Sequence, residues 1–242
     1  MTASHTARWR PAAESPDHPL TRLDGVGVGE DVTLAVLLGP KNSVGATYFR
    51  LYLESSEFGR TVDPVVFGLQ NSGPFPGFNW VEIIEWQDVL PLHDGRSVQV
   101  PEGIERLLFA RLGELIPPGG HLMAEYDSPA RTITARALAA RVPPAATPLG
   151  SMLRSAGCGD AYRDWYISEG GREGPRKLQG FRALDEAHAA RRAAEMVEAL
   201  EAFLADESDL DWNVLAQARP LAEGALLTLR PKAAKAARET PN

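Results

Sequence analysis

The stretch 162–181 reads Tyr-Arg-Asp-Trp-Tyr-Ile-Ser-Glu-Gly-Gly-Arg-Glu-Gly-Pro-Arg-Lys-Leu-Gln-Gly-Phe and constrains the fold more than any other part of the chain. Tyr162, Asp164, Tyr166 and Ser168 alternate with Arg163, Trp165 and Ile167, a period-two pattern that predicts a strand. Gly170, Gly171, Gly174 and Pro175 interrupt it before a second strand-like segment. Their backbone is suited to a loop that takes positive φ and approaches another molecule closely. The loop carries Glu169, Arg172, Glu173, Arg176 and Lys177, and ionisable groups on loops are where binding and catalysis concentrate. The plainer reading is a solvated hairpin tip with structural ion pairs.

Composition narrows the chemistry. The chain has 242 residues, 44% of them hydrophobic, which suits a soluble globular protein of one large domain or one domain with an appendage. No apolar run reaches the roughly 18 residues that span a bilayer, and residues 1–11 contain no apolar segment resembling a secretory signal, so a cytoplasmic location is expected. A single cysteine, Cys158, excludes an internal disulfide and reads as a buried small side chain; five scattered histidines give no zinc spacing, so no metal is expected. The net charge of -7 argues against nucleic acid as a partner. Between Arg154 and Arg182, however, six basic residues (Arg154, Arg163, Arg172, Arg176, Lys177, Arg182) outnumber four acidic ones (Asp160, Asp164, Glu169, Glu173), which favours a small anionic ligand.

Residues 1–30 mix Pro, Ala, His and Gly without periodicity and read as a loosely held arm. The glycine run at 25–29 lacks the preceding buried strand and following helix of a nucleotide loop. Strands are expected at 32–38, 46–54 and 62–70, joined closely enough to be antiparallel, and another at 80–86, in which Glu82 and Glu85 fall on opposite faces. A helix is expected over 101–116, a strand over 121–126, a helix over 131–141 and a short helix capped by Thr147-Pro148. Ala190, Ala193, Val197, Leu200 and Leu204 form a narrow seam on a helix over 184–207, which packs across the domain or meets another chain. The last dozen residues read as a frayed basic tail. The expected organisation is an arm over 1–30, an α/β domain over 31–183 and a helical extension with its tail over 184–242.

Val-Pro-Pro-Ala-Ala-Thr-Pro-Leu-Gly ending at Gly150, Asp-Trp-Tyr ending at Tyr166 and Glu-Gly-Gly-Arg-Glu-Gly-Pro-Arg-Lys-Leu-Gln ending at Gln179 resemble the family catalogued as domain of unknown function 1122 (DUF1122), over about residues 30–182. That resemblance carries an association with biosynthesis of amino-acid-derived metabolites, including pathways that close strained nitrogen rings on a carrier-bound amino acid. On topology the chain also resembles the Gcn5-related acetyltransferases, with 103–112 as the helix after the cofactor loop and 148–157 as the later helix. This implies an α/β (α+β) fold with a mixed, largely antiparallel central sheet flanked by helices. The run from residue 107 to 157 can alternatively be drawn as the second half of a methyltransferase.

Acetyltransferases of this type hold the coenzyme A pyrophosphate on backbone N–H groups at a helix start. Here that start reads Gln99 to Arg106 with one proline and with Glu102 and Glu105 where the pyrophosphate would lie, so coenzyme A is disfavoured and the cofactor is left unassigned. The function expected is an enzyme acting at an amine of an anionic substrate, itself small or carried on a protein. It would work by group transfer to nitrogen or by displacement of an anionic leaving group with ring closure. Glu169 is the candidate general base, Glu125 the second, and Lys177 or Arg176 would steady the departing charge with Arg172 nearby. Trp165, Tyr166 and Trp80 would form pocket wall. The competing reading is a non-catalytic subunit that binds a small partner protein or a second copy through 184–207.

Overall fold

The computed structural model describes residues 8–73, 75–100, 103–126, 131–169 and 172–239, with backbone alone for 76, 165–169, 172–175 and 236–239. In chain order the strands are β1 (Arg10–Pro11), β2 (Gly27–Gly29), β3 (Val32–Lys41), β4 (Thr47–Ser55), β5 (Gly59–Arg60), β6 (Val66–Ser72), β7 (Asn79–Trp86), β8 (Val89–Pro91), β9 (Ser97–Gln99), β10 (His121–Glu125), β11 (Ala161–Glu169) and β12 (Arg172–Phe181). The helices are α1 (Ile104–Glu114), α2 (Thr132–Ala139), α3 (Pro148–Ser155), α4 (Glu186–Ala205) and α5 (Trp212–Glu239).

Ten strands form one sheet in the order β1-β3-β4-β6-β7-β10-β12-β11, with β2 beside β3 and β5 beside β4. Short connections make the first strands antiparallel neighbours, as their spacing requires. The parallel pair is β7 with β10, and its crossover holds the small β8-β9 hairpin and α1. The result is a mixed α/β fold with a mostly antiparallel sheet. A methyltransferase-like half, which needs successive parallel βα units, does not fit that ladder pattern.

Period-two alternation gives the sheet an apolar face. Leu34, Val36, Phe49, Leu51, Val81, Ile83, Leu122 and Leu178 share one core with Ile104, Leu108, Phe109 and Leu112 of α1 and Leu149 and Leu153 of α3. Each such side chain contributes roughly 1.5–3 kcal/mol by leaving water, so this face holds the domain together. The Thr147 hydroxyl accepts from the Gly150 N–H at 3.0 Å and starts α3 where Thr147-Pro148 predicts it.

Three expectations need correction, and one that offered two alternatives is resolved. Residues 8–30 are not a loose arm: β1 pairs with β3, and Ala12, Leu20, Leu23 and Val28 lie in the main core. Short 3-10 turns bring Ala12, Leu20 and Leu23 inward without leaving a periodic signature. The tail is helical through Glu239, because α5 continues past Pro220 and Pro231. Those two prolines disguise a helix whose Val214, Ala218, Ala222, Ala225, Leu226 and Leu229 form a second, alanine-rich core. Ala193 and Leu200 of α4 belong to that same core, so the seam on 184–207 is covered by α5 within the chain rather than by another copy. Finally, the charged loop is short: β12 begins at Arg172, and only Gly170-Gly171, outside the described residues, separates it from β11. Pro175 sits at a ladder irregularity, where a missing donor costs least. Among the described residues, no helix is long and apolar enough to cross a membrane.

Candidate functional site

The opposite face of the same three central strands carries polar side chains. Strand β7 contributes Trp80 and Glu82, β10 contributes His121, Met123 and Glu125, and β12 contributes Lys177 and Gln179. Register aligns them: His121 lies beside Trp80, Met123 beside Glu82 and Gln179, and Glu125 beside Lys177. Arg163 of β11 pairs with Gln179 and joins the row. Together with Gly77 and Phe78 of the loop before β7, all of these except Glu125 line a cavity of about 400 Å³. The Asn79 amide donates to the carbonyls of Gly73 and Phe75, which folds that loop back at the cavity mouth.

Lys177 is buried and donates to Glu82, and its Nζ lies 3.5 Å from the Glu125 carboxylate. One ammonium thus serves two acids. Burial pushes the Glu125 carboxyl above its ordinary range; Lys177 partly offsets this, while the charges of Glu82 and Glu85 reinforce it. Glu85 contributes because of a bulge. Gly68 pairs with Ile83 and Phe67 with Glu85, so Ile84 is skipped and the alternation changes phase. The expectation that Glu82 and Glu85 lie on opposite faces therefore fails. Gly68 makes the close approach possible, since a Cβ there would stand 2.2 Å from the Glu82 carbonyl oxygen.

His121 is held neutral. Burial lowers its imidazole to about 4, its ring lies 5.5 Å from that of Phe181, and its Nδ1 is buried with no hydrogen-bond partner among the described residues. A buried ring nitrogen left unpaired at a cavity wall is available to a bound molecule. Cys158 is buried with its thiol pushed up to about 12 by desolvation, which makes it unreactive. Its carbonyl presses on β12: a Cβ on Gly180 would come within 1.8 Å of that oxygen. Among the described residues no three His, Cys, Asp or Glu gather as metal ligands.

The structure brings Lys177, Glu125 and Trp80 of the expected site into one neighbourhood and leaves Arg176 exposed on the other face, as opposite parity in a strand demands. Lys177 is a buried strand residue and not an exposed loop residue, so its removal affects stability as well as any ligand. The side chains of Glu169, Arg172, Trp165 and Tyr166 lie outside the described residues; in the backbone ladder Trp165 pairs with Lys177, Tyr166 with Arg176 and Glu169 with Arg172. Sequence reasoning noted Glu82 only for its face on the strand at 80–86 and did not single out His121, Met123 or Gln179. Alternation of polar residues along β10 and β12 was the available signal, but the pairing of Glu82 with a lysine of a distant strand was not visible.

No curated protein matches this sequence. Among solved structures, the crystal structure of a protein of unknown function, AQ1966 from Aquifex aeolicus VF5, matches with a TM-score of 0.53 and 21% identity, covering 78% of this chain and 88% of that one. At that identity the likeness concerns the fold. The model of the family described as protein of unknown function (DUF1122) matches residues 41–207, from the end of β3 through α4, and with more than half of its length inside that match the chain belongs to this family.

Proposed function

We propose that this chain is an enzyme of small-molecule biosynthesis that acts at the amine of an anionic, amino-acid-type substrate held against β7, β10 and β12. One observation carries the reading: two carboxylates, Glu82 and Glu125, share the single ammonium of Lys177 beside a cavity that Arg163 also lines. Two acids against one base leave an excess of negative charge in a poorly solvated place, and Glu85 adds to it. A substrate ammonium would neutralise that excess. Arg163 would take the substrate's anionic group through its planar fork of donors.

Glu125, already shifted by burial toward its protonated form, is matched to accept the amine proton. The freed nitrogen pair would then form a bond to carbon. In one version the carbon belongs to a second substrate, and its bond to an anionic leaving group on that donor breaks, the electron pair departing with the leaving group. In the other it belongs to the same substrate, and an anionic leaving group departs with the bonding electrons as a ring closes. Lys177, freed from Glu125 as that carboxylate is protonated, would steady the departing charge.

We infer also that the scaffold is acetyltransferase-like. In support, α1 lies in the crossover between the parallel strands β7 and β10, and α3 precedes β11, the two positions that the resemblance gives to its helices. Coenzyme A is not assigned to it. Glu105, in the first turn of α1, is paired with buried Arg131 at 2.5 Å, so the place for a pyrophosphate already holds a carboxylate with its own counter-ion.

Calorimetric titration with O-phosphoserine, its N-acetyl derivative and phospholactate, which lacks the amine, tests the reading. Binding of O-phosphoserine alone, weakened about tenfold or more by Glu125→Gln, is expected. Equal binding of the N-acetylated compound would show that no amine is read here, and would favour a non-catalytic binding subunit.

A further inference from the structure

A second cavity, of about 520 Å³, lies on the helical side of the molecule between α1, α3 and α5, and shares no lining residue with the one described above. Three cations line it: Arg106 from α1, Arg154 from α3 and Lys232 from α5. The single acid in the lining, Asp160, already accepts from the Ala183 N–H at 2.7 Å. In a chain of net charge -7 this is a local reversal of sign.

The cations are not consumed by the fold. Arg106 and Lys232 are exposed and meet no carboxylate among the described residues, whereas three other basic residues of α5, Arg219, Arg230 and Lys235, pair with acids. Arg154 is half-buried and fixed by donating to the Ala145 carbonyl at 2.9 Å, which leaves further guanidinium donors. Ser151, also in the lining, is 4% exposed, and its hydroxyl makes no hydrogen bond among the described residues. Leu221 and Leu229 give the far wall an apolar surface.

We propose that this cavity binds a phosphorylated small molecule, with its phosphate oxygens on Arg106, Arg154, Lys232 and Ser151. Arginine and lysine together with a hydroxyl match the charge and the acceptor oxygens of a phosphate. A volume of about 520 Å³ exceeds that of a single phosphate and suits a diphosphate with an attached organic part resting on Leu221 and Leu229. Since α5 lies outside the residues matched to the family, the ligand would tie the C-terminal helix to the family domain.

The test is calorimetric titration of the full chain with pyrophosphate and with ADP. Arg106→Glu and Lys232→Glu should each weaken pyrophosphate about fivefold or more and together abolish it, while the remote exposed variant Arg96→Glu leaves it unchanged. Arg106 and Lys232 are exposed, so the variants fold, and Ser151→Ala should weaken binding by a smaller factor. Bound pyrophosphate should slow amide exchange in α5 near Lys232. Tighter binding of ADP supports a diphosphate with its organic part on the leucines, and equal binding supports a site for the phosphates alone. Undetectable binding, affinity unmoved by the two charge reversals, or equal loss in Arg96→Glu would each overturn the proposal.

Discussion

Where β7, β10 and β12 run side by side, the two faces of the sheet are buried to nearly the same degree but differ in composition. Val81, Ile83, Leu122, Ala124 and Leu178 face α1 and α3; Glu82, His121, Met123, Lys177 and Gln179 face the other way, and none of the ten is more than 8% exposed. Apolar burial stabilises without further conditions, whereas a buried ion pair recovers only part of its desolvation cost. Three strands that could have carried valine and leucine on both sides carry an ammonium, two carboxylates and a neutral imidazole on one. The apolar face accounts for stability, and the polar face is placed for a ligand.

Breaking that contrast should begin with Lys177→Met. Leaving Glu82 buried without its counter-ion should cost roughly 3 to 5 kcal/mol in urea denaturation at pH 7. Replacing the pair together, Lys177→Met with Glu82→Met, should restore most of that stability without restoring ligand binding; a double variant no more stable than the single one would mean that the polar face also supports the fold. Leu178→Ala, one residue away, should cost roughly 2 to 4 kcal/mol while the folded fraction keeps its affinity.

A smaller effect is expected at His121. Its imidazole is held at about 4 by burial, below the ordinary 6.5, so its contribution to stability is fully present above pH 6.5 and is lost as the pH falls through 4. Allowing for partial solvation, His121→Gln should remove on the order of 2 kcal/mol of the stability difference between pH 7 and pH 4. An identical pH dependence in both proteins would place the imidazole in water. The least effect on stability, under about 0.5 kcal/mol, is expected for exposed Glu85→Gln. Its readout is the carboxyl carbon resonance of Glu125, whose titration midpoint should move down once the Glu85 charge is gone.

Local patterns made the strands legible. The alternation at 162–168 and the Thr147-Pro148 cap lie within single elements, and the structure has β11 and α3 there. What depends on distant pairing was not legible. Lys177 and Glu82 meet only because β10 lies between their strands, and Glu85 joins their face only because Ile84 is skipped. Period two alone sends Glu85 the wrong way. Pro220 and Pro231 concealed α5 for the converse reason, since a local rule against proline in helices was outweighed by packing against α4.

The prolines of α5 also bear on how the protein moves. They stand about three turns apart, and each removes one amide donor, so the carbonyls of Ala216 and Leu227, both exposed residues, lose the usual partner four residues on. The helix is therefore divided into three lengths, each held to the rest by small side chains with little area per contact. On the timescale of hydrogen exchange, α5 should open in segments rather than as one cylinder, with the length beyond Pro231 opening first and the central sheet remaining closed.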